Sequence, residues 1–257
     1  MIKFFDINTA VGHWPFQQLE YESPELLAGH LEKYNIAGAL VVNTHGLFYR
    51  NVQNANIELA KWIADKPFFT GCASINPAYP QWEKDLKRCV DEFGFRAVRM
   101  TPLYHGYGVD SQETDALLGV AGKLGIPVLI PQRIMDLRQR HHLDVNAIVV
   151  PEDVFTLAER HPECRIICTE AVIVDNELPR IAPLKNLYIE TSRQISGFSG
   201  LFNRIVYAVG AERVLFGSGT PFKEVLPSIL KVVDSRLSED SIQKIAFKNS
   251  INLLERK

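Results

Sequence analysis

The run Arg213-Val214-Leu215-Phe216-Gly217-Ser218-Gly219-Thr220-Pro221-Phe222 sets the fold class expected of the whole chain. Val214, Leu215 and Phe216 form a continuous apolar run of β-formers, the pattern of a strand covered on both faces. Gly217 and Gly219 then interrupt it, and Pro221 stands where the first turn of a helix would begin. A buried strand that passes through a glycine-marked loop into a helix is the repeating unit of an α/β protein.

Working outward, the same unit recurs. Strands are predicted at Phe4–Asn8, Ala39–Asn43, Phe69–Asn76, Ala97–Pro102, Val128–Gln132, Arg165–Glu170, Leu187–Thr191 and Val214–Gly219, with helical stretches between them. Pro24, Pro80 and Pro151 stand at helix starts, where a missing N–H is no loss. Gly38, Gly94 and Gly125 fall between a helix and the next strand, where a helix-ending glycine is wanted. Eight such units with right-handed crossovers close most simply into a (β/α)8 TIM barrel, one domain over 1–257, with a closing helix at Ser241–Leu254. An open doubly wound sheet is the alternative, but no G-x-G-x-x-G follows the first strand.

With 46% hydrophobic and 23% charged residues, the 257-residue chain can bury one large core. A net charge of −2 with scattered Lys and Arg gives no field for nucleic acid or anionic lipid. No apolar run approaches the ~20 residues of a membrane span. Asp6 arrives too early for a signal peptide, so the cytoplasm is expected. Cys72, Cys89, Cys164 and Cys168 contain no C-x-x-C pair and are expected as buried thiols.

Barrel enzymes work at the carboxyl ends of their strands. His13, His45, His105, His141 and His142 all fall in loops of that kind. The richest loop is Gln132 to His142, with three Arg, one Asp and two His in eleven residues. There Asp136 is expected to be held by Arg138, with His142 a general acid or base near neutral pH; a solvated surface loop is the plain alternative. Arg99 alternates with Val98 and Met100, so it faces either the helices or the barrel interior. Inward, it would receive a substrate anion. Tyr104 and His105 follow it and could close over a substrate or merely pack on neighbouring loops. His13 sits beside Trp14 and Phe16, which either wall a pocket or plug the barrel top. Glu170 and Glu190 end strands, where buried carboxylates need use or a partner. Arg193 is the partner at hand for Glu190. Ser218 lacks the glycine spacing of a nucleophile elbow.

The segments Gly94–Pro102, Asn186–Ser192, Val214–Pro221 and Ile245–Leu254 resemble the amidohydrolase-related branch of the metal-dependent hydrolases. That resemblance implies a (β/α)8 barrel with Arg99 turned inward. It also implies one or two divalent ions, held by a His-x-His pair ending the first strand, histidines ending the fifth and sixth, and an Asp ending the eighth. Here Asn8 and Ala10, Gln132, Glu170 and Gly219 stand at those positions. No tight metal site is therefore expected; Asn8, Gln132 and Glu170 offer a weak hard-cation site at best. The activity implied is hydrolysis of a small anionic carbonyl compound such as a lactone or ester. Arg99 and Arg138 would hold it, Asp136, Glu170 or His142 would activate water, and Asn8, His13, Tyr104, His105, Gln132, Glu190 and Arg193 would line the site. A decarboxylase or lyase with the same residues, a barrel that binds without catalysis, and a metal enzyme with relocated histidine ligands remain alternatives. A homodimer is allowed and not required.

Overall fold

The computed structural model describes residues 2–194 and 200–255. Eight parallel strands pair in chain order: β1 (Phe4–Val11), β2 (Ile36–Asn43), β3 (Phe69–Ser74), β4 (Ala97–Arg99), β5 (Val128–Pro131), β6 (Ile166–Thr169), β7 (Leu187–Glu190) and β8 (Val214–Leu215). Backbone bonds join the last strand to the first. Ile7 donates to the Phe216 carbonyl at 3.0 Å, and Gly219 and Thr220 complete the seam against Asn8 and Ala10, also at 3.0 Å. Closure removes the sheet edges and gives the barrel an inside.

The helices are α1 (Pro24–Glu32), α2 (Gln53–Ile63), α3 (Trp82–Asp91), α4 (Pro102–His105), α5 (Gln112–Leu124), α6 (Pro151–Arg160), α7 (Leu178–Ile181), α8 (Leu201–Val209), α9 (Val225–Val233), α10 (Glu239–Gln243) and α11 (Asn249–Leu254). Pro24 and Pro151 open their helices as expected. Pro80 does not: it lies in a turn, and α3 starts only after Gln81 at φ +67. Gly38 lies inside β2, where a Cβ would approach the Phe5 ring at 3.0 Å. Pro221 lies in the turn before α9, so that helix begins at Val225 rather than at Pro221. The expected closing helix is α10 and α11 joined by a wide π-type turn over Lys244–Lys248.

Alternation along the strands sends one set of side chains out to the helices and the other into the barrel. Val98, Ile130, Cys168 and Ile189 join the outer core; Ile7, Leu40, Ala97, Leu129, Ile167 and Leu215 fill the interior. Leu253 and Leu254 of α11 pack into that interior cluster, and Arg165 at the foot of β6 donates to the Leu253 carbonyl at 2.8 Å. The closing helix therefore stops the bottom of the barrel and leaves the carboxyl ends of the strands as the working face. Leu253→Ala should cost about 2–5 kcal/mol. Urea unfolding measures it, and a loss below about 1 kcal/mol would mean that α11 does not stop the barrel.

Candidate active site

Asn8, Arg99, Glu170 and Glu190 reach the barrel mouth from four strands. On β4, Ala97 packs in the interior and Val98 among the helices, so alternation turns Arg99 inward, as the resemblance implied. Glu190 is brought in by the same rule on β7. A register irregularity between Asp6 and Thr9 re-aims β1 and carries the Asn8 amide to both carboxyls. Its Nδ2 donates to Glu170 Oε1 at 2.7 Å and to Glu190 Oε2 at 3.3 Å. Glu170, at φ +54, holds a left-handed backbone that turns its side chain over the mouth.

Glycine makes the room. A Cβ at Gly219, itself at φ +78, would lie 2.6 Å from Glu170 Oε1 and 3.1 Å from Lys223 Cδ. A Cβ at Gly217 would lie 2.3 Å from Glu190 Oε1. The loop that follows β8 is thus bare of side chains where the two carboxyls need space.

Charges then divide the pair. Arg193 Nε donates to Glu170 Oε2 at 2.7 Å, and the Lys223 ammonium stands 2.9 Å from the same oxygen. Burial would raise the Glu170 pKa, but Lys223, Arg193 and Arg99 outweigh it and hold the carboxyl below its ordinary value. Among the described residues Glu190 has no such cation in contact. It accepts from the Glu170 and Ser192 amides and from Ser192 Oγ at 2.8 Å, while burial, and after it the charge on Glu170, pushes its pKa upward. Arg193 therefore partners Glu170, not Glu190 as its spacing suggested. One carboxyl is held ionised and the other favours keeping its proton, the division that general acid–base chemistry uses.

Arg99 is 7% exposed, its Nε is buried without a partner, and no ion pair reaches it among the described residues. Burial lowers its pKa, while Glu170 and Glu190 act on it from a distance. Lys231 of α9 is also buried and donates to the Thr191 and Ser192 carbonyls, anchoring the loop that carries Ser192 and Arg193; burial brings it down to about 8. Arg99, Arg193, Lys223 and Lys231 thus all act on Glu170 or Glu190.

The remaining expected residues scatter. Asp136 is gripped by Arg138 at 3.0 and 3.1 Å, as foreseen, and also lies 3.6 Å from Arg193. The Arg138 guanidinium holds its pKa well below the carboxylate range, which makes it a poor base. Arg138 itself is 88% exposed and reaches outward. His142 is exposed and packs against His141, away from Glu170. His13 pairs with Glu22 at the surface. His105 donates to the Gly46 carbonyl at 2.8 Å, tying two loops together, and burial lowers its pKa. Tyr104 donates to Asp144. Gln132 is buried beside a cavity of about 20 Å³, which admits one water.

Over the mouth sits an apolar plug of Trp14, Leu19, Ile134 and Met135, with Phe16, Leu47, Tyr104 and Phe222 packed on it. Trp14 and Phe16 therefore serve as the plug and not as open pocket walls. Beside it an open cleft of about 530 Å³ leads down to Ser192, Arg193 and Lys223, between Gln17–Tyr21, Asp136 and the segment Pro221–Ser228. Lys223, Ser192 and Lys231 were not foreseen from the sequence. Neither was Asp6, wholly buried on the seam, which accepts from the Asn8 and Ser218 amides at 3.0 Å and leaves Oδ2 unpartnered.

The carboxyls and cations gather at the carboxyl-end mouth of a (β/α)8 barrel, the face on which enzymes of this fold carry their sites. The amidohydrolase family profile matches residues 22–256, and the chain belongs to that family. Among curated protein sequences none matches it. Solved structures of the same fold include a dihydroxybenzoic acid decarboxylase from Polaromonas with bound manganese and 2-nitroresorcinol (15% identity, 99% of this chain and 97% of that one, TM-score 0.76). A 5-carboxyvanillate decarboxylase from Sphingomonas paucimobilis is similar over 100% of both chains (13%, 0.75), and a 2,6-dihydroxybenzoate decarboxylase from Rhizobium over 99% of both (16%, 0.73).

A divalent cation fits the residues present poorly. Every oxygen of Glu170 and Glu190 already faces a protein donor, Asn8 presents its NH2 rather than its carbonyl, and an ammonium and a guanidinium press on Glu170. Among the described residues no three His, Cys, Asp or Glu side chains are grouped to hold a metal. The four cysteines are buried, and burial pushes the Cys72, Cys89 and Cys164 thiols up to about 12.

Two substitutions test this geometry. Burial raises the Asp6 pKa from 3.8 to about 7. Below 3.8 both folded and unfolded chains hold the proton; between 3.8 and about 7 only the folded one does, so stability falls as pH rises, by about 1.4 kcal/mol per unit. Asp6→Asn removes that dependence. Its melting temperature relative to the native protein should climb across that window and level off above it; a constant difference would show ordinary ionisation. For Gly219→Ala, Gly94→Ala is the control, since Gly94 has φ +71 and nothing within 4 Å of its Cβ position. Both should lose about 1–2 kcal/mol of backbone energy, and only Gly219→Ala should lose more by displacing Glu170. Equal losses in urea unfolding would refute the cradle.

Proposed function

We propose that the protein is an enzyme for a small carboxylate substrate and that it works by donating a proton, with decarboxylation the reaction. The divided pair carries this. Hydrolysis of a lactone or ester needs a base to activate water, and neighbouring cations hold the pKa of both Glu170 and Asp136 below the ordinary carboxylate value, which weakens them as bases. The carboxyl whose environment favours retaining a proton is Glu190.

In this scheme the substrate enters beside Phe222 and its anionic group is drawn toward Arg99, the buried guanidinium whose Nε has no partner among the described residues. Glu190 gives its proton to the carbon that bears the carboxylate. The bond to that carboxylate then breaks, its electron pair stays with the carbon skeleton, carbon dioxide leaves, and Glu190 regains a proton from solvent. Glu170 remains charged throughout, and burial together with the charge on Glu170 favours the protonated form of Glu190 between turnovers. The plug over the mouth keeps the site dry, which strengthens each of these interactions. The structural neighbours named as decarboxylases of dihydroxybenzoate and carboxyvanillate lend support, as proteins of the same fold.

The test is a panel of small aromatic acids beside lactones and esters, read by carbon dioxide release and by ester cleavage. Carbon dioxide release from an acid is expected. Glu190→Gln should lower kcat by about 10²–10⁴-fold. Arg99→Met should raise KM by roughly 10–100-fold. Ester cleavage without carbon dioxide would restore the hydrolytic alternative. No turnover, with acids raising the melting temperature, would make the barrel a binding protein.

A further inference from the structure

We infer that Lys223 is a built-in counter-ion: its ammonium occupies the position at Glu170 that a divalent cation would take, and so keeps such a cation out. This concerns the charge at the site and holds whichever bond the enzyme breaks. Position 219 is where the family resemblance places a metal-holding Asp, and the structure shows what fills that space. Gly219 offers no side chain; Glu170 Oε1 lies 2.6 Å and Lys223 Cδ 3.1 Å from where its Cβ would be. Lys223 is four residues further on, and its stem runs back through the vacated volume. The ammonium ends 2.9 Å from Glu170 Oε2 and 3.2 Å from Ser192 Oγ.

Arg193 completes the arrangement by donating to the same Oε2 at 2.7 Å, and Asn8 holds Oε1 at 2.7 Å. A metal bound to either oxygen must sit about 2.0–2.6 Å away, inside the shell these donors now form. It would have to displace the ammonium and remain beside a guanidinium. An ammonium differs from a metal in one useful way: it neutralises Glu170 without leaving an open coordination position. Lys223 is 20% exposed and lines the cleft, so the charge it supplies is offered to whatever binds there.

The experiment compares the full-length protein with Lys223→Met, which keeps the length of the stem and removes the charge. Protein purified without chelator is analysed for metals, then titrated with manganese and with zinc by calorimetry and by melting temperature. The native protein should carry no stoichiometric metal, bind neither ion saturably, and melt at the same temperature with and without chelator. Lys223→Met should melt lower than the native protein. It should also bind manganese on the order of tenfold tighter or more, with a melting temperature that rises with manganese and falls back with chelator. Rescue by a metal is a response that a merely structural lysine would not give. Lys223→Arg, which keeps the charge, should still refuse the ion. One tightly bound equivalent of metal in the native protein overturns the inference, as does a folded Lys223→Met that gains no affinity. If Lys223→Met does not fold, Lys223→Gln takes its place, and the native titration decides by itself. Metal binding is measured without substrate, so failure here is separable from failure of the proposed reaction.

Discussion

A carboxylate shut away from water must be given counter-charge or lose its own, because desolvation costs several kcal/mol even after relaxation. Glu170 meets that constraint with Arg193 and Lys223, and the rest of the mouth follows from it. Once Glu170 is held charged, a second carboxyl next to it is discouraged from ionising, and Glu190 is set apart in character from a residue of identical chemistry. Asn8 bridges the two as an amide donor, a role no histidine or carboxylate could fill in the same protonation state. Lys231, behind them, fixes the backbone from which Ser192 and Arg193 reach in.

The fold was largely legible in the chain because buried parallel strands are written as unbroken apolar runs, and eight of them are difficult to mistake. Where the expectation slipped, local chemistry was ambiguous. Pro80 suits a helix start, yet the chain spends Gln81 in a left-handed turn before α3 begins. Gly38 looks like the end of a helix, but it sits within a strand because the Phe5 ring covers it. The barrel's lower stop was legible only as a helix; that Leu253 and Leu254 enter the interior depends on the closed shape.

At the site, residues that end strands were found, since a strand's direction and alternation tell where its last side chain points. Arg99 and Glu190, which end β4 and β7, are of that kind, whereas Asn8 lies within β1 and owes its aim to the register irregularity, and Glu170 follows β6 and owes its aim to a left-handed backbone. Lys223 was missed because a lysine in a loop reads as solvated, and nothing local reveals that its stem lies along a bare glycine. Lys231 could have been suspected. On α9 the apolar residues Leu226, Leu230 and Val233 are exposed while the lysine is buried, the reverse of a surface helix. The Arg-rich loop after β5 drew more notice than its geometry supports: Asp136 and Arg138 satisfy each other, and the histidines lie outside.

The bare backbone at Gly219 also governs the order in which this site could change. A carboxylate placed there alone would meet Glu170 and the Lys223 stem in the same few ångströms. A route toward metal chemistry therefore starts at Lys223, whose stem must leave before a side chain at 219 finds room beside Glu170.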